Sequence, residues 1–207
     1  MNRTVGLFAV LALWLSGCIS LGVFQGPDVL PEGKAEVGLG LVGGGSLEEG
    51  GGGLGMFELY GRVGVASRLE LGARTTGFLA VGGVTTGALM AEGKYQLVTT
   101  WPLVAVGMGV SYYALEFNNQ TFSTLGLYPA VWVGSSRLFA GARMIVVTIG
   151  AENSDEVGTG SLAGFTIGAR LGGRVSLRPE LTLYAPLYEG SAPLLVGGLG
   201  LSFRLGR

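Results

Sequence analysis

The side chains in this sequence that could carry chemistry are few, and their scarcity narrows the possible functions. Cys18 is the only thiol among 207 residues. It is the only group able to form a thioether, and a single cysteine excludes an intramolecular disulfide. Histidine is absent, which removes Ser-His-Asp catalysis, imidazole general bases and histidine metal ligands. Aspartate occurs only at Asp28 and Asp155, so an aspartate dyad would need two distant segments to meet. Lysine occurs only at Lys34 and Lys94, and no pattern supports a Ser-Lys pair. Gly38-Leu39-Gly40-Leu41-Val42-Gly43 has the spacing of a phosphate-binding glycine loop. It runs on into Gly44-Gly45-Ser46, however, with no helical pattern to receive a phosphate. The stretch Glu152-Asn153-Ser154-Asp155-Glu156, with Glu48 and Glu49, reads as a solvated acidic rim, a surface divalent cation being the alternative. No enzymatic activity, metal site or cofactor is expected.

The surroundings of Cys18 give it a role. Arg3 supplies one positive charge, and Val5 to Leu15 is an apolar run. That run has the length of a signal-peptide core and is too short to span a bilayer, which takes about 20 residues. Leu15-Ser16-Gly17-Cys18 then resembles the lipobox of bacterial lipoprotein signals at every position. The resemblance implies a signal peptide over residues 1–17, cleavage before Cys18, a diacylglycerol on its thiol and an acyl chain on the new amino group. It also implies the lipoprotein-processing machinery as a partner. Ile19 follows where an Asp would favour retention in the inner membrane, so onward transport to the outer membrane is compatible.

Removal of residues 1–17 leaves 190 residues, enough for one domain, with 12 basic and 14 acidic side chains. A balance this near neutral gives no electrostatic case for nucleic acid. Only 13% of the chain is charged, against about 25% in a typical soluble domain. No segment after residue 20 is long, apolar and free of glycine as a membrane helix should be. Backbone in lipid must satisfy its own hydrogen bonds, and a closed barrel is the remaining way to do so. The 40 glycines, poor helix formers, point the same way.

Alternation with a period of two supplies the elements. It recurs over 34–42, 57–65, 68–76, 87–98, 164–175 and 195–205. Runs 101–116, 121–134 and 138–149 are apolar on both faces in places, which leaves their register open, and 180–188 is a tenth candidate. In the clear runs one face is aliphatic. Counted strand by strand, most of the charges fall on the opposite face: Lys34, Glu36, Glu58, Arg62, Arg68, Glu70, Arg74, Glu92, Lys94, Arg143, Arg170, Arg174 and Arg204. A soluble barrel with the aliphatic face inward would leave an exterior that is half glycine. Lipid-facing Arg or Lys costs about 2–4 kcal/mol at the midplane, so the charges belong in the lumen. The expected fold is all-β, an antiparallel up-and-down transmembrane β-barrel of about ten strands, with eight possible. It spans residues 33–207 after a periplasmic linker over 18–32.

The breaks between runs differ in kind. Ala66-Ser67-Arg68, Thr99 to Pro102, Ser135-Ser136-Arg137 and Leu177-Arg178-Pro179 read as tight turns. Gly43–Gly53, Val81–Thr86, Phe117–Thr121, Ala151–Gly160 and Leu187–Ala192 read as longer loops. Outer-membrane barrels carry short turns on the periplasmic side. Both ends of an even-stranded barrel fall there too, and a lipid on Cys18 would enter the inner leaflet beside it. The last run resembles the β-signal of outer-membrane proteins, with Phe203 as its aromatic, although Leu205-Gly206-Arg207 follow it. Barrel-assembly machinery and membrane lipid are the further partners implied. The barrel enzymes of outer membranes use a catalytic histidine, which this chain lacks. Trp101 and Trp132 lie beside expected periplasmic turns, as interface residues should, yet the register of 121–134 points Trp132 inward. Gly38, Gly40, Gly64, Gly72, Gly168, Gly172, Gly198 and Gly200 map to the charged face and would leave room beside it. Two functions follow: a non-enzymatic lipid-anchored barrel with a structural, adhesive or assembly role, or a narrow passive pore for small solutes.

Overall fold

Each strand here has one face fit for lipid and one fit for a polar interior, and a single sheet can satisfy both only by curling into a ring. The computed structural model describes residues 20–47, 53–80, 83–117, 120–151, 157–188 and 191–206. The strands are β1 (Ala35–Ser46), β2 (Gly53–Ala66), β3 (Leu69–Ala80), β4 (Gly83–Val98), β5 (Leu103–Phe117) and β6 (Gln120–Gly134). They continue as β7 (Leu138–Ala151), β8 (Val157–Ala169), β9 (Leu171–Gly172), β10 (Val175–Pro186) and β11 (Leu194–Leu205). Neighbours in sequence pair antiparallel, and β11 pairs with β1, Ala35 opposite Leu205 and Ser46 opposite Leu194, so the sheet has no free edge. β8 and β9 are two parts of one stave lying along β10, which makes ten staves in all.

The interruption between β8 and β9 has a cause in the sequence. The register that sets Glu180 opposite Gly168 and Leu177 opposite Leu171 leaves Arg178 and Pro179 facing the gap. Pro179 has no N–H to give to the ladder, so the pairing lapses there. The expected turn at Leu177-Arg178-Pro179 is therefore displaced. The chain reverses at Gly173-Arg174, and Pro179 lies inside β10.

The short-turn rim carries 67–68, 99–102, 135–137 and 173–174, together with the start of β1 and the end of β11. The far rim carries the other strand ends: Ser46 and Gly53, Ala80 and Gly83, Phe117 and Gln120, Ala151 and Val157, and Pro186 and Leu194. Four of the five expected loops are invaded by strand: β1 runs to Ser46 and β2 starts at Gly53, β3 runs to Ala80 and β4 starts at Gly83, β5 runs to Phe117 and β6 starts at Gln120, and β7 runs to Ala151 and β8 starts at Val157. The acidic cluster at Glu48, Glu49, Glu152, Asp155 and Glu156 lies outside the described residues, as does Cys18.

Side chains alternate cleanly between the two faces. Leu89 is 65% exposed, while its neighbours Ala88 and Met90 are 2% and 3% exposed. The outer face is an aliphatic band running through Leu39, Leu59, Leu71, Val110, Leu127 and Leu199, all exposed, whereas Glu58 and Arg74 are buried inside. That is the reverse of a soluble protein, and it is the arrangement that a lipid surround requires. In β5 to β7, whose register the sequence leaves open, Ala105, Trp132, Phe139, Ile145 and Val147 point inward. Trp101 stands exposed at the short-turn rim, and Trp132 is buried in the lumen instead of joining an interfacial girdle.

Candidate functional site: a lumen filled by the N-terminal segment

The residues expected as a linker outside the barrel are in fact its content. From Ser20 to Pro27 the chain is buried, and Leu30 is buried again below it. This segment forms no strand. Its backbone polar groups are bonded instead by the charged side chains of the wall, which is why it can lie in a closed interior at all.

Wall carboxylates accept its N–H groups. Glu58 accepts from Gly22 N at 3.0 Å and from the Ser20 hydroxyl at 3.0 Å. Glu180 uses one oxygen for Val23 N, 2.7 Å, and the other for Phe24 N, 2.6 Å. Glu70 accepts from Leu30 N at 2.9 Å, and Glu92 from the Gln25 amide. Wall cations donate to the carbonyls. Arg74 donates to Gly22 O at 2.6 Å and Val23 O at 2.9 Å, Arg143 to Leu21 O at 2.8 Å, and Lys94 to Gly26 O and Asp28 O. Arg62 and Arg178 both donate to Phe24 O, at 3.1 and 3.0 Å. Phe24 adopts φ 45°, a left-handed conformation that costs a non-glycine residue about 1–2 kcal/mol. The two adjacent N–H groups ending at Phe24 meet both oxygens of one carboxylate, while its carbonyl meets two guanidinium groups.

The wall groups also pair with each other. Arg74 lies 2.8 Å from Glu58 and 3.4 Å from Glu92. Glu36 is shared by Arg62, Arg178 and Arg204 at 2.6, 2.8 and 3.4 Å. Glu70 is held by Lys94 at 3.1 Å and Arg62 at 3.6 Å. Asp28, on the segment itself, lies 3.3 Å from Arg170 and 3.4 Å from Arg204. Among the described residues the wall presents seven cations in this network, Arg62, Arg74, Lys94, Arg143, Arg170, Arg178 and Arg204, and five carboxylates, Glu36, Glu58, Glu70, Glu92 and Glu180. The excess of cations faces the carbonyls of the segment and Asp28, although the buried Nε groups of Arg62, Arg74 and Arg143 find no hydrogen-bond acceptor.

The inward glycines make room for rings, not for an open channel. A Cβ at Gly40 would stand 2.2 Å from the ring of Phe24, and those at Gly198 and Gly200 would stand 3.1 and 2.8 Å from it. These three positions are the berth of that side chain, which also stacks on Tyr60 at 6.0 Å between centroids. Gly64 lets the carbonyls of Leu30 and Pro31 approach to 2.3 Å from where its Cβ would be. The cavities that remain beside Gln25 and Glu92, and beside Asp28 and Leu30, each have room for about one water molecule.

Not every expected charge joins this network. Glu36, Glu58, Arg62, Glu70, Arg74, Lys94, Arg143 and Arg170 are buried in the lumen, and Glu92 is half-buried there. Arg204 is half-buried at the short-turn rim, and Lys34 sits on that rim as the chain enters β1. Arg68 and Arg174 are exposed in tight turns, because the strand that follows begins one residue after each, at Leu69 and Val175. Arg178 and Glu180 are central to the network but absent from the expectation: the expected turn covers Arg178, and Glu180 opens the candidate run 180–188, whose faces are not assigned. Above the network, Leu21 packs with Val42, Met56, Ile145, Val147 and Val196 in an apolar layer toward the far rim. Among the described residues no group of acidic side chains or cysteine is placed to hold a metal ion.

No protein-family model matches this chain, and no curated protein does. Among solved structures it is similar to Ail, the attachment invasion locus protein of Yersinia pestis, at 12% identity, covering 84% of this chain and 99% of that one with a TM-score of 0.36. It is similar to the N-terminal β-barrel domain of OprF from Pseudomonas aeruginosa at 13% identity, covering 82% and 97% with a TM-score of 0.34. The translocator domain of the autotransporter NalP from Neisseria meningitidis gives 12% identity, 86% and 90% coverage and a TM-score of 0.40. At these values the likeness carries no functional argument, and the ten-stave closure rests on the strand pairing itself.

Proposed function

We propose that this protein is an outer-membrane β-barrel closed by its own N-terminal segment, with a structural, adhesive or assembly role exercised from its rims and not a passage for solutes. The observation that carries the reading is the bonding of Gly22, Val23, Phe24 and Leu30 N–H groups by Glu58, Glu180 and Glu70 inside the barrel. A pore lining would leave such carboxylates and guanidinium groups to water and ions. Here they are spent on a fixed peptide backbone. The outer membrane follows from the aliphatic exterior and the export signal, since a closed barrel is the spanning solution available to a sheet. Cys18 is the proposed lipid attachment point, on the strength of Leu15-Ser16-Gly17-Cys18.

Planar-bilayer recording of the refolded protein tests the closed reading. The expected trace is silent, and discrete openings from the intact chain would defeat it. For the lipid, metabolic labelling with a fatty acid should mark the wild-type protein and not Cys18→Ala.

A further inference from the structure

The charges that the lumen does not use are sorted by rim. Arg68, Arg137 and Arg174 are exposed, one in each of three tight turns, and Lys34 and Arg204 are half-buried where β1 starts and β11 ends. The remaining tight turn carries Trp101, 80% exposed. In stave order these groups circle the short-turn rim. Lys34 and Arg204 stand at the β11–β1 seam, Arg68 between β2 and β3, Trp101 between β4 and β5, Arg137 between β6 and β7, and Arg174 between β9 and β10. Among the described residues Lys34, Arg68, Arg137 and Arg174 form no ion pair. Arg174 Nε donates to Arg204 O at 3.4 Å. Among the described residues Glu32 is the only exposed acidic side chain on this rim. The sequence links that join strands at the other rim, 47–52, 81–82, 118–119, 152–156 and 187–193, contain no Lys or Arg, and they hold Glu48, Glu49, Glu152, Asp155, Glu156 and Glu189.

We propose that the short-turn rim is a collar for anionic phospholipid headgroups, gathering lipids of the phosphatidylglycerol class around the barrel. Each arginine stands one residue from the apolar outer band: Arg68 before Leu69, Arg137 before Leu138, Arg174 before Val175 and Arg204 before Leu205. Leu138, Val175 and Leu205 are exposed members of that band. One residue of strand rises about 3.4 Å, so the guanidinium groups lie where hydrocarbon gives way to headgroups. Arginine and tryptophan both suit that level, with an apolar body toward the band and a polar end toward water. Exposed cations without carboxylate partners draw anionic lipid to them, and salt screens that attraction. The spacing around the whole ring favours lipid over a protein. A protein docks against one side and leaves the rest of the collar uncovered, whereas headgroups surround a spanning barrel on every side. Outer-membrane barrels turn their short turns to the periplasm, so the leaflet concerned is the inner one. The proposal rests on the membrane-spanning ring and not on whether its lumen is closed.

The full chain in phosphatidylcholine vesicles is given traces of spin-labelled phosphatidylglycerol or spin-labelled phosphatidylcholine, and EPR reads the fraction of each label immobilised against the protein. Phosphatidylglycerol should be enriched severalfold over phosphatidylcholine. Arg68→Gln/Arg137→Gln/Arg174→Gln changes three exposed side chains and should remove most of that preference, with heat-modifiable gel migration certifying the variant as folded. High salt should do the same to the wild-type chain, which gives a test that needs no variant. Equal immobilisation of the two labels in the wild type, or a preference that the triple variant keeps, would overturn the collar. Polyglutamate that binds the barrel as tightly in phosphatidylglycerol-rich vesicles as in phosphatidylcholine would assign the arginines to an acidic protein instead. Retention of lipid A over phosphatidylglycerol, when both are offered, would place this rim in the outer leaflet and overturn the assignment as well. None of these results alters the silence expected in planar bilayers, so failure of the collar is distinct from failure of the closed lumen.

Discussion

Phe24 and the glycines beneath it show how a residue-scale fit closes the lumen. The ring lies 2.2 Å from where a Cβ of Gly40 would be and 2.8 Å from that of Gly200, while a Cβ of Gly198 would meet the Glu180 side chain at 2.8 Å and the ring at 3.1 Å, so those positions are small because neighbours far away in sequence are large. An alanine at Gly40 pushes the ring off its berth and should cost about 1–3 kcal/mol, as overpacking does. Phe24→Ala alone should cost about 3–5 kcal/mol through the cavity it leaves. In Gly40→Ala/Phe24→Ala the clash is gone, and the double variant should be less destabilised than the sum of the singles by about 0.5–3 kcal/mol. Urea midpoints followed by gel migration measure all three, and strict additivity would separate the glycine from the ring. None of this is legible in the sequence. Inward glycines read there as empty space, because alternation tells which face a residue is on and not what stands opposite.

At the scale of elements, legibility depended on contrast between the two faces. β1, β2, β3, β4 and β11 set leucine and valine against charge or glycine, and their orientation could be read residue by residue. β5 to β7 could not be read in that way, because Ala105, Trp132, Phe139 and Ile145 make their inner face apolar too. Pro179 hid β10 by suggesting a turn, although a proline is tolerated where the ladder lapses. The segment over 20–30 lay beyond pattern reading altogether. Its partners bind backbone, so its side chains need no period. Its traces in the sequence are indirect: a wall richer in cations than carboxylates, and Phe24, Pro27 and Leu30 in a supposed linker. The outer band makes its own prediction. Leu59 lies midway along β2, opposite Leu39 and Thr75, and Leu205 ends β11 at the short-turn rim. Leu59→Arg should destabilise the barrel in lipid vesicles by about 2–4 kcal/mol and Leu205→Arg by about 0–1 kcal/mol. Equal costs would mean that the two positions do not differ in membrane depth.

For the whole molecule, the N-terminal segment and the ring stabilise one another across the seam. The segment is bonded to Glu58, Glu70 and Arg74 on β2 and β3 and to Arg178 and Glu180 on β10. It therefore ties together strands on both sides of the β11–β1 closure. Glu36 at that closure is held by Arg62 from β2, Arg178 from β10 and Arg204 from β11. Removing Ser20–Leu30 strips the carbonyls that absorb the surplus donors and leaves buried N–H groups on guanidinium and ammonium without partners. Water must then enter, because an unpaired buried charge costs several kcal/mol. The variant lacking these residues should still show heat-modifiable migration, with a lower urea midpoint, and should conduct in planar bilayers where the intact chain is silent. Its lumen would keep seven wall cations against five carboxylates, so the current should prefer anions. Arg74→Gln and Arg143→Gln in the same background should reduce that preference. A folded deletion variant that stays silent would mean that the walls alone close the barrel. A cation-selective current would mean that the charge of the emptied lumen is not set by the network described above.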